Sequence, residues 1–289
     1  MYKLYSIYIH YSYHTHIHRH MTDYINTSEL IHPNDTEQMD EKILCIPESN
    51  KKTRKLSLPI EKYYSEDSTI LEIGIDEVGR GPLFGRVYTA AVVLPKTKDL
   101  QYSLMKDSKK FNSKKKIDES AEYIKEHAIA WTVQYEDESI VDNINILQAT
   151  QHSMHKCIDD IHRQLKEKKI IYTDDKNNKD NQIKLLVDGN YFNPYIRLSP
   201  ITGRIEQLNH ICVEGGDNKY AVIAAASILA KVTRDKYIDD LCSEYPYLAE
   251  HYSIDTNKGY GAKKHIDGIK EHGITQWHRK SFGICRLYS

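Results

Sequence analysis

A short apolar run, Ile70 to Ile75, passes directly into Asp76 and Glu77 and then into Val78-Gly79-Arg80-Gly81-Pro82-Leu83-Phe84-Gly85. This stretch constrains the fold more than any other. The β-branched Ile73 and Ile75 suit a buried strand, and three glycines with a proline stop regular structure just beyond it. Two carboxylates therefore stand at a strand end beside a glycine-rich turn. A turn that only cradled phosphate would be weakened by them, because like charges repel. A hard divalent cation between acid and phosphate removes the conflict, since Mg²⁺ takes oxygen ligands from both. The segment is a candidate for metal-assisted chemistry on a phosphodiester, although an Asp-Glu pair by itself is a common surface feature. Gly79, Gly81 and Gly85 are spaced GxGxxxG, with Pro82 where a phosphate-binding helix would begin, and no GK[ST] is present. Dinucleotide-binding and P-loop readings are both disfavoured.

The chain has 289 residues, enough for one large or two small domains with a real core. Its formal net charge is −1, so any nucleic-acid surface must be local. Cys45, Cys157, Cys212, Cys242 and Cys285 are scattered, odd in number and without a CxxC, which predicts free thiols in a reducing compartment. No apolar run approaches the roughly 20 residues of a membrane span. The expectation is a soluble cytoplasmic protein, monomeric and not associated with membranes. Residues 1–69 are rich in Tyr, His, Ser, Thr and Asn and poor in periodicity, so they read as a disordered or low-complexity extension. Alternating His14, His16, His18 and His20 form only a weak metal-ligand pattern, and the stretch is too poor in Arg for a transit peptide.

From residue 70 to 289 the pattern is that of a packed domain. Arg86–Leu94 and Ala128–Tyr135 predict two more strands. Apolar residues at helical spacing (Ile144, Leu147, Met154, Ile158, Ile161, Leu165) predict a long amphipathic helix over Ile144–Lys169. A polar loop over 174–182 precedes a strand at Lys184–Val187, which stops at Asp188-Gly189-Asn190. Ile205–Val213 predicts a further strand, followed by Gly215-Gly216-Asp217. Tyr220–Leu241 predicts an Ala-rich helix, and Lys264–His272 a short one. Three successive strands followed by helix and strand in alternation predict an α/β fold, a mixed sheet flanked by helices with a small C-terminal helical region.

Asp188 repeats the setting of Asp76, a carboxylate at the end of an apolar strand and followed by glycine or a glycine turn. Sites assemble at the carboxyl ends of neighbouring strands. Asp217 follows another strand and precedes the Ala-rich helix, so it serves equally well as a ligand or as that helix's N-cap. In a regular strand Asp76 and Glu77 face opposite ways; they share a site only if the strand ends at them. Four carboxylates from separate strand ends suit two divalent ions about 4 Å apart, and without the ions they would raise one another's pKa.

On these residues the chain resembles the ribonuclease HII family. The string Ile73 to Leu83 looks like its signature, and agreement continues through Lys106-Asp107-Ser108-Lys109-Lys110, Asn145 to Thr150, Leu186 to Asn190, Ile223 to Asp235, Asn257 to Gly261 and His272 to Phe282. The resemblance implies a ribonuclease H-like fold, hydrolysis of RNA in RNA–DNA hybrids, and nicking of DNA on the 5′ side of an embedded ribonucleotide, leaving 3′-hydroxyl and 5′-phosphate. It implies Asp76, Glu77, Asp188 and Asp217 as catalytic metal ligands, with Mg²⁺ or Mn²⁺ as cofactor. It also implies that Gly79-Arg80-Gly81 reads the 2′-hydroxyl and that Tyr260 packs on the neighbouring deoxyribose. Phe84, Arg86, Phe111, Tyr220 and Val222 depart from the commonest pattern without touching an acid.

Physical reasoning runs the same way. Telling RNA from DNA requires close approach to the sugar, which glycines at 79 and 81 permit. Arg80 and Lys109 are candidate phosphate contacts; solvated surface roles compete for both. Ser227 and Lys231 lie one helical turn apart. His265, His272 and His278 are expected to be structural, since Mg²⁺ prefers oxygen. Two other readings share the acids: a related nuclease or strand-transfer enzyme acting on DNA, and a catalytically silent hybrid-binding module.

Overall fold

In the computed structural model, residues 59–170, 182–198 and 203–289 are described, all within the unit Lys55–Ser289. The histidine alternation at 14–20, nearly all of the 174–182 loop and residues 1–58 of the expected extension lie outside the described residues. Seven strands are seen there: β1 (Ile70–Val78), β2 (Val87–Val93), β3 (Ala130–Glu136), β4 (Gln182–Asp188), β5 (Ile196–Leu198), β6 (Ile205–Gln207) and β7 (Asn209–Val213). Five of them form one mixed sheet in the order β3-β2-β1-β4-β7. β2 is antiparallel to β1 and β3, whereas β4 is parallel to β1 and β7.

Helices α1 (Lys114–His127), α2 (Glu138–Glu167), α3 (Ala221–Glu244), α4 (Tyr247–Tyr252), α5 (Ile254–Asn257) and α6 (Lys263–His272) complete the elements. Alternation along β1 sends Ile73 and Ile75 to one face, where Met154, Ile158, Ile161 and Leu165 of α2 bury them with Leu185 and Val187 of β4. Each such side chain contributes about 1.5–3 kcal/mol by leaving water. The opposite face is covered by α3, whose residues 221–230 are all buried. This helix is Ala-rich because it approaches the sheet closely: a Cβ on Gly74 would collide with the Val222 carbonyl. The C-terminal half of α3 and α4 to α6 form a separate core around Phe84, Ile238, Leu248, Ile254 and Ile269.

Four expectations are corrected. β1 does not end at the acids but continues through Val78, with Glu77 paired to Thr89 of β2. The long helix starts earlier than Ile144, at Glu138, because Asp137 caps it by accepting from the Ile140 N–H at 3.0 Å. It is broken at Asn145, at φ 67° and ψ 162°, whose side chain restarts the helix by accepting from the Gln148 N–H. The single strand at 205–213 is two strands, interrupted where Leu208 turns inward and bonds the Tyr195 carbonyl. Helix α1 was not anticipated: only Ile117, Ala121 and Ile124 mark its buried stripe amid eight charged residues and one His.

Residues 60–69, assigned by composition to the extension, pack on this domain. Glu61 pairs in parallel with Tyr220 at the start of α3, donating to the Lys219 carbonyl at 2.7 Å and accepting from the Ala221 N–H at 2.9 Å. Tyr64 and Ser65 donate their N–H groups to the buried carboxylate of Glu72. The four cysteines among the described residues are free.

Candidate active site

Asp76 and Asp188 are brought together by register. Ile75 is paired with Val187 in the parallel β1–β4 ladder, so the following residues stand side by side at the carboxyl ends of the two central strands. Leu186 and Gly74 share the α3 face, and alternation puts Asp76 and Asp188 on that face too. Asp217 comes from the turn between β7 and α3. Gly216, next to it, donates its N–H to Asp188 Oδ1 at 2.6 Å, which ties this turn to the end of β4. A Cβ on Gly216 would press on the Ile223 side chain at 2.6 Å and crowd Asp188 Oδ1 at 3.3 Å, so glycine makes the approach easy.

The capping role for Asp217 is overturned. The residue at the N-cap of α3 is Tyr220, and no side chain caps there. The first helical N–H, that of Ala221, goes instead to Glu61. Asp217 is buried, and its only side-chain partner among the described residues is the Asn218 amide at 2.9 Å.

Burial pushes the Asp76 carboxyl well above the usual carboxylate range, and the neighbouring charges of Glu77 and Asp188 push it further; a hydrogen bond from Ser227 opposes the rise. Ser227 in turn bonds Ser108 at 3.1 Å, so helix packing does not exhaust its role. Glu77 is also raised, first by burial and then by Asp188, against the attraction of Arg80. Although β1 runs past it, Glu77 thus still feels Asp188, through its longer arm. Asp217 is raised by burial, by Asp107 and by Asp188, while Lys109 draws it down. The four acids form one repelling cluster with Asp107 at its edge.

Such a cluster offers only oxygen donors, with excess negative charge, which is the chemistry that a hard dication such as Mg²⁺ or Mn²⁺ selects. Among the described residues no three His, Cys, Asp or Glu side chains are already gathered at ion-holding distances.

The other expected residues lie on one rim. Gly79 takes φ +90°, and a Cβ there would collide with Arg234. Arg80 is exposed and reaches Glu77 Oε1 at 3.2 Å, so it pairs with an acid of the cluster rather than standing alone. A Cβ on Gly81 would stand 3.6 Å from the ring of Tyr260, which is itself half exposed. Turn and aromatic are therefore neighbours although 179 positions separate Gly81 and Tyr260 (260 − 81). Lys109 is exposed in the turn capped by Asp107. His265 and His278 bond each other through Nε2 atoms at 3.0 Å and are buried, and His272 stacks on His251; all three are structural.

Sequence reasoning missed two buried cations beneath this rim, Arg234 and Arg279, both fully inaccessible. Charged residues are rarely buried, so sequence favours a solvated arginine at each position. Phe84 and Arg86, two of the departures, are also accounted for: Phe84 is core, and the Arg86 guanidinium lies over the rings of Tyr135 and Tyr237 at 4.1 and 4.6 Å.

A mixed sheet in this order, flanked by helices and carrying acids at the carboxyl ends of its central strands, defines a ribonuclease H-like protein. The chain belongs to the ribonuclease HII family, whose model matches residues 73–285. It is 39% identical over 222 residues to the ribonuclease HII of Bacteroides thetaiotaomicron, covering 77% of this chain and 93% of that one. It is 40% identical over 214 residues to that of Parabacteroides distasonis, covering 74% and 90%. The structure resembles that of ribonuclease HII in a complex with PCNA from Archaeoglobus fulgidus, with a TM-score of 0.53 and 26% identity over 74% of this chain and 96% of that one. Membership makes the chain a ribonuclease H-type hydrolase. Among the described residues no helix is long and apolar enough to cross a membrane.

Proposed function

We propose that this protein is an endonuclease that hydrolyses RNA in RNA–DNA hybrids and nicks duplex DNA on the 5′ side of an embedded ribonucleotide, leaving 3′-hydroxyl and 5′-phosphate ends. The observation that carries the reading is the meeting of four acids with a glycine turn and an aromatic ring. Asp76, Glu77, Asp188 and Asp217 interact at one end of the sheet, while Gly79-Arg80-Gly81 and Tyr260 adjoin at the same strand end.

The four acids would hold Mg²⁺ or Mn²⁺. A pair of divalent ions there supplies activation of water for in-line attack and neutralisation of the leaving oxygen. The chain's own residues do the rest. The Ser227 hydroxyl fixes Asp76, and the Gly216 N–H fixes Asp188, so each carboxylate is oriented before substrate arrives. The exposed turn at 79–81 lets backbone groups approach the 2′-hydroxyl, the only group distinguishing a ribonucleotide at the junction. Tyr260 offers its half-exposed ring to the adjacent sugar. Arg80 and Lys109, both exposed and each interacting with an acid of the cluster, would meet phosphate oxygens. The protein would act as a monomer in the cytoplasm, with the catalytic domain including residues 60–69 and the extension confined to what precedes them.

The deciding experiment incubates the purified protein with Mg²⁺ or Mn²⁺ and a duplex carrying one ribonucleotide, and maps the cut. A single nick 5′ to the ribonucleotide, absent on the all-DNA duplex and in EDTA, is expected. Cleavage of the all-DNA duplex would favour the DNA-acting reading, and tight hybrid binding without turnover the silent one.

A further inference from the structure

The turn between β1 and β2 is built around one side chain. The Arg279 guanidinium donates to the carbonyls of Gly79 (2.6 Å), Arg80 (3.1 Å), Pro82 (3.0 Å) and Gly85 (2.9 Å). Its own N–H donates to a fifth, that of Leu83, at 2.8 Å. No carboxylate pairs with it by a salt bridge among the described residues, and burial draws its pKa down to about 10. Keeping a guanidinium dry without a counter-ion is costly, and carbonyl dipoles are what offset the cost here. A second buried guanidinium, Arg234, closes the back of the turn by donating to the carbonyls of Phe84 and Lys258.

We propose that Arg279 is the positioning residue that sets the hydrogen-bonding polarity of the turn, making it a donor surface that recognises the 2′-oxygen of a ribonucleotide as an acceptor. The inference rests on the proposed function and deepens it. In a trans peptide the C=O and N–H point in opposite directions. The Gly79 and Arg80 carbonyls are turned inward onto Arg279, so the N–H groups of Arg80 and Gly81, in the same two peptide planes, are turned outward. Both residues are exposed, and neither N–H has a partner among the described residues. Successive outward N–H groups form an acceptor-binding concavity. Two other N–H groups of the turn are used within the scaffold, Leu83 N on the Gly259 carbonyl and Gly85 N on that of Trp277, both at 2.8 Å. Gly79 and Phe84 are buried, so Arg80 and Gly81 carry the exposed donors, with Gly81 beside the ring of Tyr260.

Lysine keeps the charge but has no fork to serve four carbonyls at once, so Arg279→Lys would release the two peptide planes. Steady-state cleavage of the single-ribonucleotide duplex should show KM rising about tenfold, the size of one lost hydrogen bond, with a smaller change in kcat. The measurement is made well below the melting temperature of the variant. Ile161→Ala, in the core on the far side of the sheet, serves as a comparably destabilised control and should keep its KM. The unmodified protein provides an independent readout: in EDTA, the ¹⁵N-amide signals of Arg80 and Gly81 should shift on addition of the single-ribonucleotide duplex and respond less to the all-DNA duplex. An unchanged KM in a folded Arg279→Lys, or a matching rise in Ile161→Ala, overturns the proposal. If Arg279→Lys does not fold, the amides decide, and equal responses to both duplexes overturn it. Failure of the unmodified protein to cut in Mg²⁺ or Mn²⁺ rejects the parent function instead, and is read in a separate assay from the amide response.

Discussion

Truncation before residue 59 and truncation before residue 70 should have different consequences, although composition groups residues 1–69 together. The shorter deletion removes none of the contacts described for residues 60–69. The longer one removes two backbone hydrogen bonds of Glu61, to Lys219 and Ala221, at about 1 kcal/mol each. It also strips Glu72, 5% exposed, of the N–H groups of Tyr64 (3.1 Å) and Ser65 (2.8 Å), and bonds to a charged group contribute about 1.5–3 kcal/mol each. Lys96 remains on Glu72 at 3.0 Å, but loses the Ser65 and Asp67 carbonyls. Water reaching the uncovered carboxylate recovers part of the loss, so about 4–5 kcal/mol is expected. In a domain of this size about 2–4 °C of melting temperature accompanies each kcal/mol, giving a drop of roughly 10–20 °C. Thermal melts of the two truncated proteins in EDTA check it. Cleavage should fall as well in the longer deletion, because Glu61 holds the chain on both sides of Tyr220, close after Asp217. Two truncations melting within about 3 °C of each other would refute the reasoning.

Asp188→Asn should lower kcat at least about a hundredfold with the melting temperature in EDTA unchanged or raised, because the amide keeps the shape and removes charge from the cluster; more than a tenth of the parent's activity would contradict its role. Asp76→Asn should raise the melting temperature in EDTA, since burial and the charges of Glu77 and Asp188 oppose its ionisation, while Mg²⁺ should raise that of the parent more than that of the variant. His278 is held down to about 3 by burial and by His265, which is itself lowered; the unfolded chain takes up these protons below about pH 6.5 and the native one does not, so this contribution to stability is complete above pH 6.5 and declines toward pH 3. Melts between pH 7 and 4.5 should then slope less in His278→Gln than in the parent, and equal slopes would reject the assignment. Tyr260→Phe should retain most activity, whereas Tyr260→Ala should lose the equivalent of about 1–3 kcal/mol; a loss that only follows the folded fraction would make Tyr260 a structural residue.

Much of the fold was legible because its strongest signals are local. The runs at Ile70, Arg86, Ala128 and Lys184 became strands, and the spacing from Met154 to Leu165 became the buried stripe of α2. Errors fell where a few polar atoms decide the outcome. Asp137 and Asn145 set the start and the break of α2 by single side-chain bonds, and hydrophobic periodicity does not register them. α1 escaped because three apolar residues in 14 suffice when a helix lies on the surface of others.

By itself the sequence determined which acids are the candidates. Asp76, Asp188 and Asp217 each come at or soon after the end of an apolar run with a glycine within three residues, and that placement is fixed by neighbours in the chain. Tertiary structure alone decided how the acids relate and what supports them. The parallel register of β1 and β4 sets Asp76 beside Asp188, the Glu61 carbonyl takes the helix start for which Asp217 was the candidate cap, and Arg279 gathers five carbonyls from a turn about 200 residues earlier in the chain. A local pattern encodes what a residue does with its neighbours. The burial of an arginine, or the partner of an N–H, depends on chain that arrives from far away, and no window of sequence contains it.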